Sequence, residues 1–373
     1  MKQPYRPRQL PIDDIDWATH VPLIAQANAA LARYDGILEA MVNPALLLSP
    51  LTTQEAVLSS RIEGTQATLE EVLEFEADPK RKIDPGRYAD IQEIINYRRA
   101  MSYAVDQLKK RPLCLNLIKE LHSILLNSVR GANKARGEFR RVQNWIGLPG
   151  CPIEEASFVP PSPDIVPQAL DNWEKYLHYD EKERLVQLAI VKAQFELIHP
   201  FLDGNGRIGR MLIPLFLYEK KILSQPMFYL SVYLERNRQQ YYQALNAISE
   251  KDDWSGWINF FLTAVTEQAK ENTRKARAIL DLYEEMKQKV PGITRSQYAI
   301  QAIDALFNQP LFTTADFSNR SGIPMATAKR ILNSFEKGNI IRVFQKRKGS
   351  KGIRFIFQPL IFIVNIQEEP AHV

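Results

Sequence analysis

The chain has 373 residues, of which 45% are apolar, 24% charged and 10% aromatic, a composition typical of a folded protein of about two or three domains and not of a disordered one. Its net charge of +5 is too small to indicate a partner, and no apolar stretch approaches the roughly eighteen residues that span a bilayer. Two isolated cysteines and a start without a signal peptide predict a cytoplasmic protein with no disulfide framework, no zinc site and no membrane contact.

Apolar residues recur at helical spacing along most of the chain, which predicts an all-α body. The predicted regions follow one another as an N-terminal helical region (1–111) containing a helix at about 52–64, a helical core (112–270), a charged linker helix (271–292) and a C-terminal module (293–373). Pro291 and Gly292 are expected to end the linker helix, because proline lacks the amide hydrogen that a helix interior needs.

One part of the core lacks helical periodicity. Residues 137–147 and 158–163 are rich in Gly and Pro and contain short extended runs. This pattern predicts two short strands that form a small β-hairpin on the helical core.

The strongest chemical signal is the segment from His199 to Arg210, which reads HPFLDGNGRIGR. Pro200 ends one helix, and the turn Gly204–Gly206 exposes successive amide N–H groups at the start of the next, an arrangement that binds anions such as phosphate. Arg207 and Arg210 lie three residues apart and can both clamp phosphate oxygens.

Two further residues of the segment suit phosphate chemistry. Asp203 stands at the edge of the loop, where its carboxylate can hold a Mg²⁺ ion that bridges phosphates. His199 titrates near neutral pH, so it can take a proton from an attacking hydroxyl. The segment therefore predicts a phosphate site with a general base beside it.

The segment matches the signature HPFxxGNGRxxR, and over roughly residues 30–270 the chain resembles the Fic family. The resemblance implies a protein adenylyltransferase, in which His199 deprotonates a Ser, Thr or Tyr hydroxyl of a target protein and AMP is transferred from ATP with release of pyrophosphate. It implies that Asp203 is the Mg²⁺ ligand and Phe201 the apolar anchor of the loop. The implied ATP and phosphate contacts are Gly204, Asn205, Gly206, Arg207, Ile208, Gly209 and Arg210.

The same resemblance extends to the surroundings of the signature. The predicted hairpin resembles the flap that pairs with an extended segment of the target by strand addition. Residues 229–242 resemble the region beside the adenine pocket, which implies ATP contacts by Asn237 and Tyr242. Packing in the core is the alternative role for Tyr242 and the other tyrosines of residues 229–242.

An upstream segment, residues 59–64, resembles the inhibitory helix (S/T)xxxE(G/N) of many Fic proteins through Ser59, Glu63 and Gly64. Gly64 is a good residue to stop the helix at 52–64. The resemblance implies that Glu63 pairs with Arg210 and so removes the clamp for the γ-phosphate. The chain is therefore expected to be autoinhibited.

The C-terminal module is strongly basic. From Arg320 to Arg354 ten basic residues stand against one acid, a local charge of +9. Two short helices and two strands predict a winged helix-turn-helix there. Its candidate DNA contacts are Arg330, Asn333, Lys346, Arg347 and Lys348.

Several alternatives stay open at this point. The module can serve DNA binding, or protein docking and formation of a homodimer. The chain as a whole can be a transcriptional regulator whose Fic core senses a nucleotide. A Fic enzyme can also transfer another nucleotide or phosphocholine, or remove AMP, because the loop identifies a phosphate site without naming the base.

Overall fold

The structure is a computed structural model. It describes residues 3–79, 82–127, 134–148, 150–345 and 352–365. Within these ranges the chain is mostly helical, with one small sheet. No helix in the described ranges combines the length and the apolar character needed to cross a membrane.

The helices in chain order are α1 (Trp17–Ala40), α2 (Pro44–Leu47), α3 (Ser49–Ile62), α4 (Leu69–Ala77), α5 (Pro85–Leu108), α6 (Leu115–Leu125), α7 (Val166–Leu177), α8 (Arg184–Ile198), α9 (Asn205–Glu219), α10 (Ser231–Arg236), α11 (Arg238–Lys251), α12 (Trp254–Thr294), α13 (Ala299–Asn308), α14 (Thr314–Ser321), α15 (Met325–Lys337) and α16 (Gln358–Asn365). The strands are β1 (Leu311–Thr313), β2 (Arg342–Gln345) and β3 (Arg354–Ile356).

The chain divides into two compact units. The first comprises Met1–Asp35, Leu58–Thr65 and Gln92–Lys270, and the second comprises Gly36–Val57, Gln66–Ile91 and Glu271–Val373. Each unit therefore takes residues from both sides of the predicted boundary at 111. That boundary and those at 270 and 292 were drawn from helix breaks and changes of pattern in the sequence, and they stay predictions.

The centre of the first unit is α8, which packs between α7 and α9. Nearly every residue of α8 from Leu185 to Ile198 is buried: apolar residues occur all round the helix, and the buried polar side chains of Gln187, Lys192 and Gln194 are hydrogen-bonded. It ends at His199, which takes a left-handed conformation (φ 50°), and Pro200 follows. The next helix, α9, starts at Asn205 after Gly204 at φ 79°. The loop between these two buried helices carries the predicted site.

The predicted hairpin is present in a reduced form. Ile146 and Phe158 form one antiparallel bridge, with N–H to O distances of 2.9 and 3.1 Å, instead of two full strands. A short 3₁₀ turn, Ile153–Glu155, lies in the loop between them. The abundance of Gly and Pro in this segment limits the ladder to one pair.

The predicted end of the linker helix at Pro291 and Gly292 is wrong. The helix α12 runs without interruption from Trp254 to Thr294 and includes Pro291 in its last turn. Val290 and Thr294 on either side are buried, at 0% and 1% exposed, so packing outweighs the local cost of the proline.

In the second unit the C-terminal segment forms a helix, a strand, two helices and two strands, with sheet order β1-β3-β2 and antiparallel pairing. The turn between α14 and α15 contains Gly322 at φ 67°. The sequence reading missed β1, a strand of only three residues that pairs with β3. The winged-helix interpretation of this segment stays a prediction.

Candidate functional site

A cavity of about 560 Å³ opens beside the loop between α8 and α9. Every residue that lines it belongs to the first unit. The lining residues are Glu63, Trp145, Ile146, Gly147, Ser157, Phe158, Glu196, Leu197, His199, Gly206, Arg210, Tyr241, Tyr242, Leu245 and Asn246. The candidate base, the candidate phosphate clamp and the bridge of the hairpin thus face one space.

His199 is held in one tautomer. Its Nδ1 lies 3.3 Å from the backbone oxygen of Glu196, so Nδ1–H donates there and the Nε2 lone pair is left for another proton. Burial lowers the pKa of His199, with a smaller opposing effect from its bond to Glu196. The imidazole is therefore neutral near pH 7 and can act as a base.

The loop after His199 is closed by the side chain of Asn205. Its Oδ1 accepts from the N–H of Phe201, and its Nδ2 donates to the oxygen of Phe201, both at 2.8 Å. Asn205 is 2% exposed. The amide side chain is thus occupied within the loop, and only the backbone N–H groups at the start of α9 remain for an anion.

A second histidine, His122 of α6, supports the same loop from behind. Its Nδ1 accepts from the N–H of Gly137 (2.9 Å), its Nε2 donates to the oxygen of Asp203 (3.0 Å), and its ring stacks on Phe201 at 3.8 Å. Burial lowers its pKa to about 4. His122 therefore stays neutral at physiological pH, as its two hydrogen bonds require.

This contact predicts an acid sensitivity. Unfolded His122 takes up a proton near pH 6.5, but folded His122 takes one up only near pH 4. The free energy of unfolding therefore decreases as the pH is lowered, by about 2 kcal/mol between pH 7 and pH 5. The His122→Gln variant should be less stable at pH 7, but its free energy of unfolding should lack the part of the decrease at low pH that comes from His122. All five tryptophans lie in the first unit, so urea unfolding followed by tryptophan fluorescence measures it. Equal pH dependence of both proteins would contradict the assignment.

Arg140 joins the hairpin to the loop. It is 3% exposed, and its guanidinium donates to the oxygens of His199 (2.9 Å), Ile198 (3.3 Å), Pro161 (2.5 Å) and Val142 (3.3 Å). Burial lowers its pKa to about 10, so it remains charged near neutral pH. A cation at the C-terminal end of α8 is favourable, because the carbonyl dipoles of the helix converge there.

Arg210 is occupied by the C-terminal end of α3. Its Nη2 donates to Glu63 Oε1 and to the oxygen of Ser59, each at 2.7 Å, and its Nε donates to Ser59 Oγ at 2.8 Å. Burial alone raises the pKa of Glu63, but the charge and hydrogen bond of Arg210 outweigh it and hold that pKa below its usual value. The chain continues through Gly64 at φ 98°, just after α3 ends.

Two glycines of the signature make room for carboxylates. A Cβ on Gly206 would lie 2.1 Å from Glu63 Oε1 and 3.0 Å from Arg210 Nη1. A Cβ on Gly209 would lie 2.8 Å from Glu196 Oε1. Gly209 thus leaves room for Glu196, and its phosphate contact stays a prediction, whereas Gly206 faces the cavity.

Arg207 has a different set of partners. Its Nη1 pairs with Glu93 Oε2 at 3.0 Å, and its Nη2 lies 3.4 Å from Asp203 Oδ1. Its buried Nε has no hydrogen-bond partner among the described residues. The sequence reading did not predict Glu93, which lies more than a hundred residues away along the chain.

Asp203 fits a Mg²⁺ ion that is held mainly by a nucleotide. Its Oδ1 accepts from the N–H of Gly204 at 2.6 Å, and its side chain is 43% exposed. No cluster of three metal-ligating side chains exists within the described ranges. Mg²⁺ in nucleotide sites commonly takes one or two carboxylates and completes its shell with phosphates and water.

Comparison with known families decides the identity of this arrangement. Residues 21–106 match the profile described as Fic/DOC family N-terminal, and residues 112–217 match that of the Fic/DOC family. The two matches together cover just over half of the chain. The chain belongs to the Fic/DOC family.

Among its Fic relatives is the probable protein adenylyltransferase aq_aa38 of Aquifex aeolicus, 28% identical over 205 residues, which are 54% of this chain and 57% of the relative. The protein adenylyltransferase Fic of Drosophila grimshawi is 28% identical over 195 residues, 51% of this chain and 37% of the relative. The chain thus spans less than two thirds of the length of either relative.

Solved structures share the fold. A Fic family protein from Desulfovibrio desulfuricans G20 superposes with a TM-score of 0.57 at 22% identity, over 95% of this chain and 98% of that one. Fic-1 (residues 134–508) from C. elegans gives 0.53 at 17% identity, over 71% and 74%. The predicted all-α Fic core with a small hairpin is confirmed at the level of fold.

The other predicted nucleotide contacts divide into two groups. Tyr242 lines the cavity, 40% exposed. Asn237 is absent from the lining, and its Nδ2 donates to the oxygen of Tyr233 at 2.9 Å. Ile208 is fully buried and is also absent from the lining. The nucleotide contacts of Asn237 and Ile208 stay predictions.

The candidate DNA contacts of the C-terminal module are only partly described. Arg330 donates to the oxygen of Thr294 at 2.9 Å, and Asn333 is exposed on α15. Lys346, Arg347 and Lys348 lie outside the described residues. DNA contact stays a prediction.

The surface charge of this module is smaller than the sequence count. Arg354 is 3% exposed and pairs with Asp78 at 2.8 Å and Glu74 at 3.4 Å. One of the ten basic residues counted between Arg320 and Arg354 is therefore neutralised inside the second unit.

Proposed function

We propose that this Fic protein is a protein adenylyltransferase that transfers AMP from ATP to a Ser, Thr or Tyr hydroxyl of a target protein. The proposal rests on the observation that His199, the start of α9 and Arg210 all line one cavity. The adenylyltransferase names of the relatives from Aquifex and Drosophila support the reaction class.

The proposed chemistry begins with His199. With Nδ1–H directed at the oxygen of Glu196, Nε2 accepts the proton of the target hydroxyl. The hydroxyl oxygen then forms a bond to the α-phosphorus of ATP, and the bond from that phosphorus to the bridging oxygen of the β-phosphate breaks. Pyrophosphate leaves, and His199 returns its proton to water.

The remaining groups stabilise charge. Backbone N–H groups at the start of α9 face the phosphates, and Arg207 and Arg210 supply positive charge beside them. A Mg²⁺ ion held by Asp203 would neutralise charge that develops on the pyrophosphate. The bridge between Ile146 and Phe158 borders the same cavity, and it offers an extended edge to a target segment.

The proposal includes autoinhibition. Arg210 donates two hydrogen bonds to Ser59 near the end of α3 and one to Glu63 just after it, and Glu63 fills the space above Gly206. A γ-phosphate needs the same guanidinium and the same space. These contacts support the proposal that Glu63 inhibits transfer and that the enzyme becomes active when Glu63 leaves Arg210.

The direct test uses the full chain carrying Glu63→Gly. We incubate it with ATP labelled on the α-phosphate, Mg²⁺ and cell lysate, and search for hydroxyls that gain AMP by mass spectrometry. Modified target peptides support the proposal. Tight ATP binding without any transfer would favour the nucleotide-sensing regulator, and a different adduct mass would identify another transferred group.

Replacement of Asp203 by Asn should lower transfer about a hundredfold and weaken its dependence on Mg²⁺ concentration, because the variant keeps the size of the side chain but loses the negative charge that holds the ion. Rates measured over a Mg²⁺ titration check this. Asp171, which pairs with Lys175 on the surface of α7, provides the control Asp171→Asn. Undiminished transfer by the original protein in excess chelator would refute the metal role.

Arg238 holds the end of the inhibitory helix, and its loss should activate the enzyme. Its Nη2 donates to the oxygen of Ile62 at 2.5 Å, directly before Glu63, and its guanidinium lies 5.9 Å from the ring centre of Tyr242. Arg238→Met keeps the aliphatic stem but removes this bond, so transfer at saturating ATP should rise about five- to tenfold.

The same substitution in a Glu63→Gly background provides the control. There the inhibitory contact is already absent, so Arg238→Met should change the rate by less than twofold. Equal activation in both backgrounds would show that Arg238 acts on the cavity instead of on Glu63.

A further inference from the structure

The side chain of Glu196 has no part in the chemistry above, yet it lines the same cavity as His199. Glu196 lies in the last turn of α8, three residues before His199, which follows the end of the helix. The Glu196 side chain is 10% exposed. It is thus a carboxylate largely removed from water, one helical turn from the proposed base.

This carboxylate is fixed by its neighbours. Lys192 Nζ donates to Oε1 at 2.9 Å and to the hydroxyl of Tyr241 at 2.9 Å, and that hydroxyl donates to Oε2 at 2.5 Å. Lys192 is fully buried and lies over the rings of Tyr241 and Trp257. The close approach of Gly209 to Oε1 leaves little room for another rotamer.

An ionised carboxylate accepts about four hydrogen bonds and donates none. Two acceptor positions of Glu196 are taken by Lys192 and Tyr241. The oxygens of a triphosphate are anionic acceptors and are repelled by Glu196. The neutral donors of ATP are the two ribose hydroxyls and the amino group of the base.

The place of each donor along the nucleotide decides which of them can reach Glu196. The reacting α-phosphate must lie beside His199, and the ribose is joined to that phosphate through a single methylene group. The base lies farther along the nucleotide, and Tyr242, Leu245 and Asn246 of α11 line the cavity for it. We propose that Glu196 accepts a hydrogen bond from a ribose hydroxyl and thereby selects ribonucleotides over deoxyribonucleotides. This inference rests on the proposed AMP transfer.

A deoxyribonucleotide would leave Glu196, whose side chain is only 10% exposed, without this donor. Sites built around such a hydrogen bond reject the analogue that lacks it, because the buried polar group is left unpaired. We expect kcat/KM to be about 10- to 100-fold lower for whichever of 2′-deoxy-ATP and 3′-deoxy-ATP lacks the bonded hydroxyl.

The experiment compares ATP, 2′-deoxy-ATP, 3′-deoxy-ATP and ITP as AMP or IMP donors with the full chain carrying Glu63→Gly. Calorimetry measures the binding of each nucleotide in parallel. Glu196→Gln is then added to this chain, because it keeps the shape of the side chain but removes its charge. The ratio of kcat/KM for ATP to kcat/KM for the deoxy analogue should fall to about threefold or less. The preference for ATP over ITP should not change.

A second variant guards against misfolding of Glu196→Gln. Tyr241→Phe removes a donor to Glu196 but leaves the carboxylate and Lys192 in place, so the ribose preference should persist. Loss of the preference in this variant would assign it to the tyrosine hydroxyl and overturn the proposal.

Different results would contradict the role of Glu196 and the proposed AMP transfer. Equal rates and equal affinities for ATP and both deoxy analogues would overturn the role of Glu196 while leaving AMP transfer intact. Loss of discrimination against ITP in Glu196→Gln would assign the carboxylate to the base instead of the ribose. If no nucleotide supports transfer, the proposed function is wrong, and the binding data alone decide whether Glu196 reads the sugar.

Discussion

Replacement of His199 by alanine should lower AMP transfer by a factor of about a hundred or more while ATP still binds. Removal of a general base commonly costs that much, and the phosphate contacts at the start of α9 come from the backbone and from Arg207 and Arg210. Transfer from labelled ATP is measured in the Glu63→Gly background so that the starting rate is high. ATP affinity is measured by calorimetry.

The control for this substitution is His178→Ala. His178 is exposed at the end of α7, outside the cavity lining, and its backbone alone caps that helix. It should leave the rate unchanged. Undiminished transfer by the His199 variant would remove the proposed base from the mechanism, and loss of ATP binding would show that His199 has a structural role instead.

Replacement of Glu63 by glycine should raise the rate of AMP transfer about 10- to 100-fold. In the proposed inhibition, Glu63 competes with the γ-phosphate for Arg210 through a charge-assisted hydrogen bond of 2.7 Å, and such bonds contribute about 1.5–3 kcal/mol. Self-modification and target modification are both measured with labelled ATP and Mg²⁺. We expect the gain in kcat, because the proposed inhibition misplaces the γ-phosphate without excluding ATP.

Arg61→Gly is the matched control, since Arg61 lies in the last turn of the same helix α3 and outside the cavity lining. It places a glycine two residues before position 63, inside the last turn of the helix, so it loosens the helix end at least as much as Glu63→Gly does. Activation by both variants would mean that a loosened helix end is sufficient. An unchanged rate in a folded Glu63→Gly protein would leave Glu63 as an ordinary carboxylate at a helix end.

The sequence predicted those parts of the site that depend on neighbours along the chain. The order Pro200, Gly204 and Asn205 predicts a helix end, a turn and a new helix, and the structure has α8 ending at Ile198 and α9 beginning at Asn205. The helix expected at 52–64 occupies Ser49–Ile62. The pairing of Glu63 with Arg210, which is present, came from the family resemblance and could not come from spacing.

Contacts between distant parts of the chain were not predictable. Glu93 forms an ion pair with Arg207, and His122 is hydrogen-bonded to the backbone oxygen of Asp203. Helical periodicity identifies which face of a helix is buried, but it does not identify the residues that pack against that face. Arg354 was counted as surface charge because its burial depends on Glu74 and Asp78 of α4. For Glu196 a weak signal did exist, since it is a carboxylate only three residues before His199, in the last turn of the helix that Pro200 ends.

Arg140 has a mechanical consequence. The backbone oxygens of Ile198 and His199 on one side and of Val142 and Pro161 on the other are bonded to a single rigid guanidinium plane. Displacement of either loop alone would leave a buried cation with unpaired donors, which is costly. The bridge at Ile146 and Phe158 and the imidazole of His199 are therefore set at a fixed separation. If this edge binds the target, as proposed, exposed side chains along residues 142–148 can be changed without altering the reach of His199.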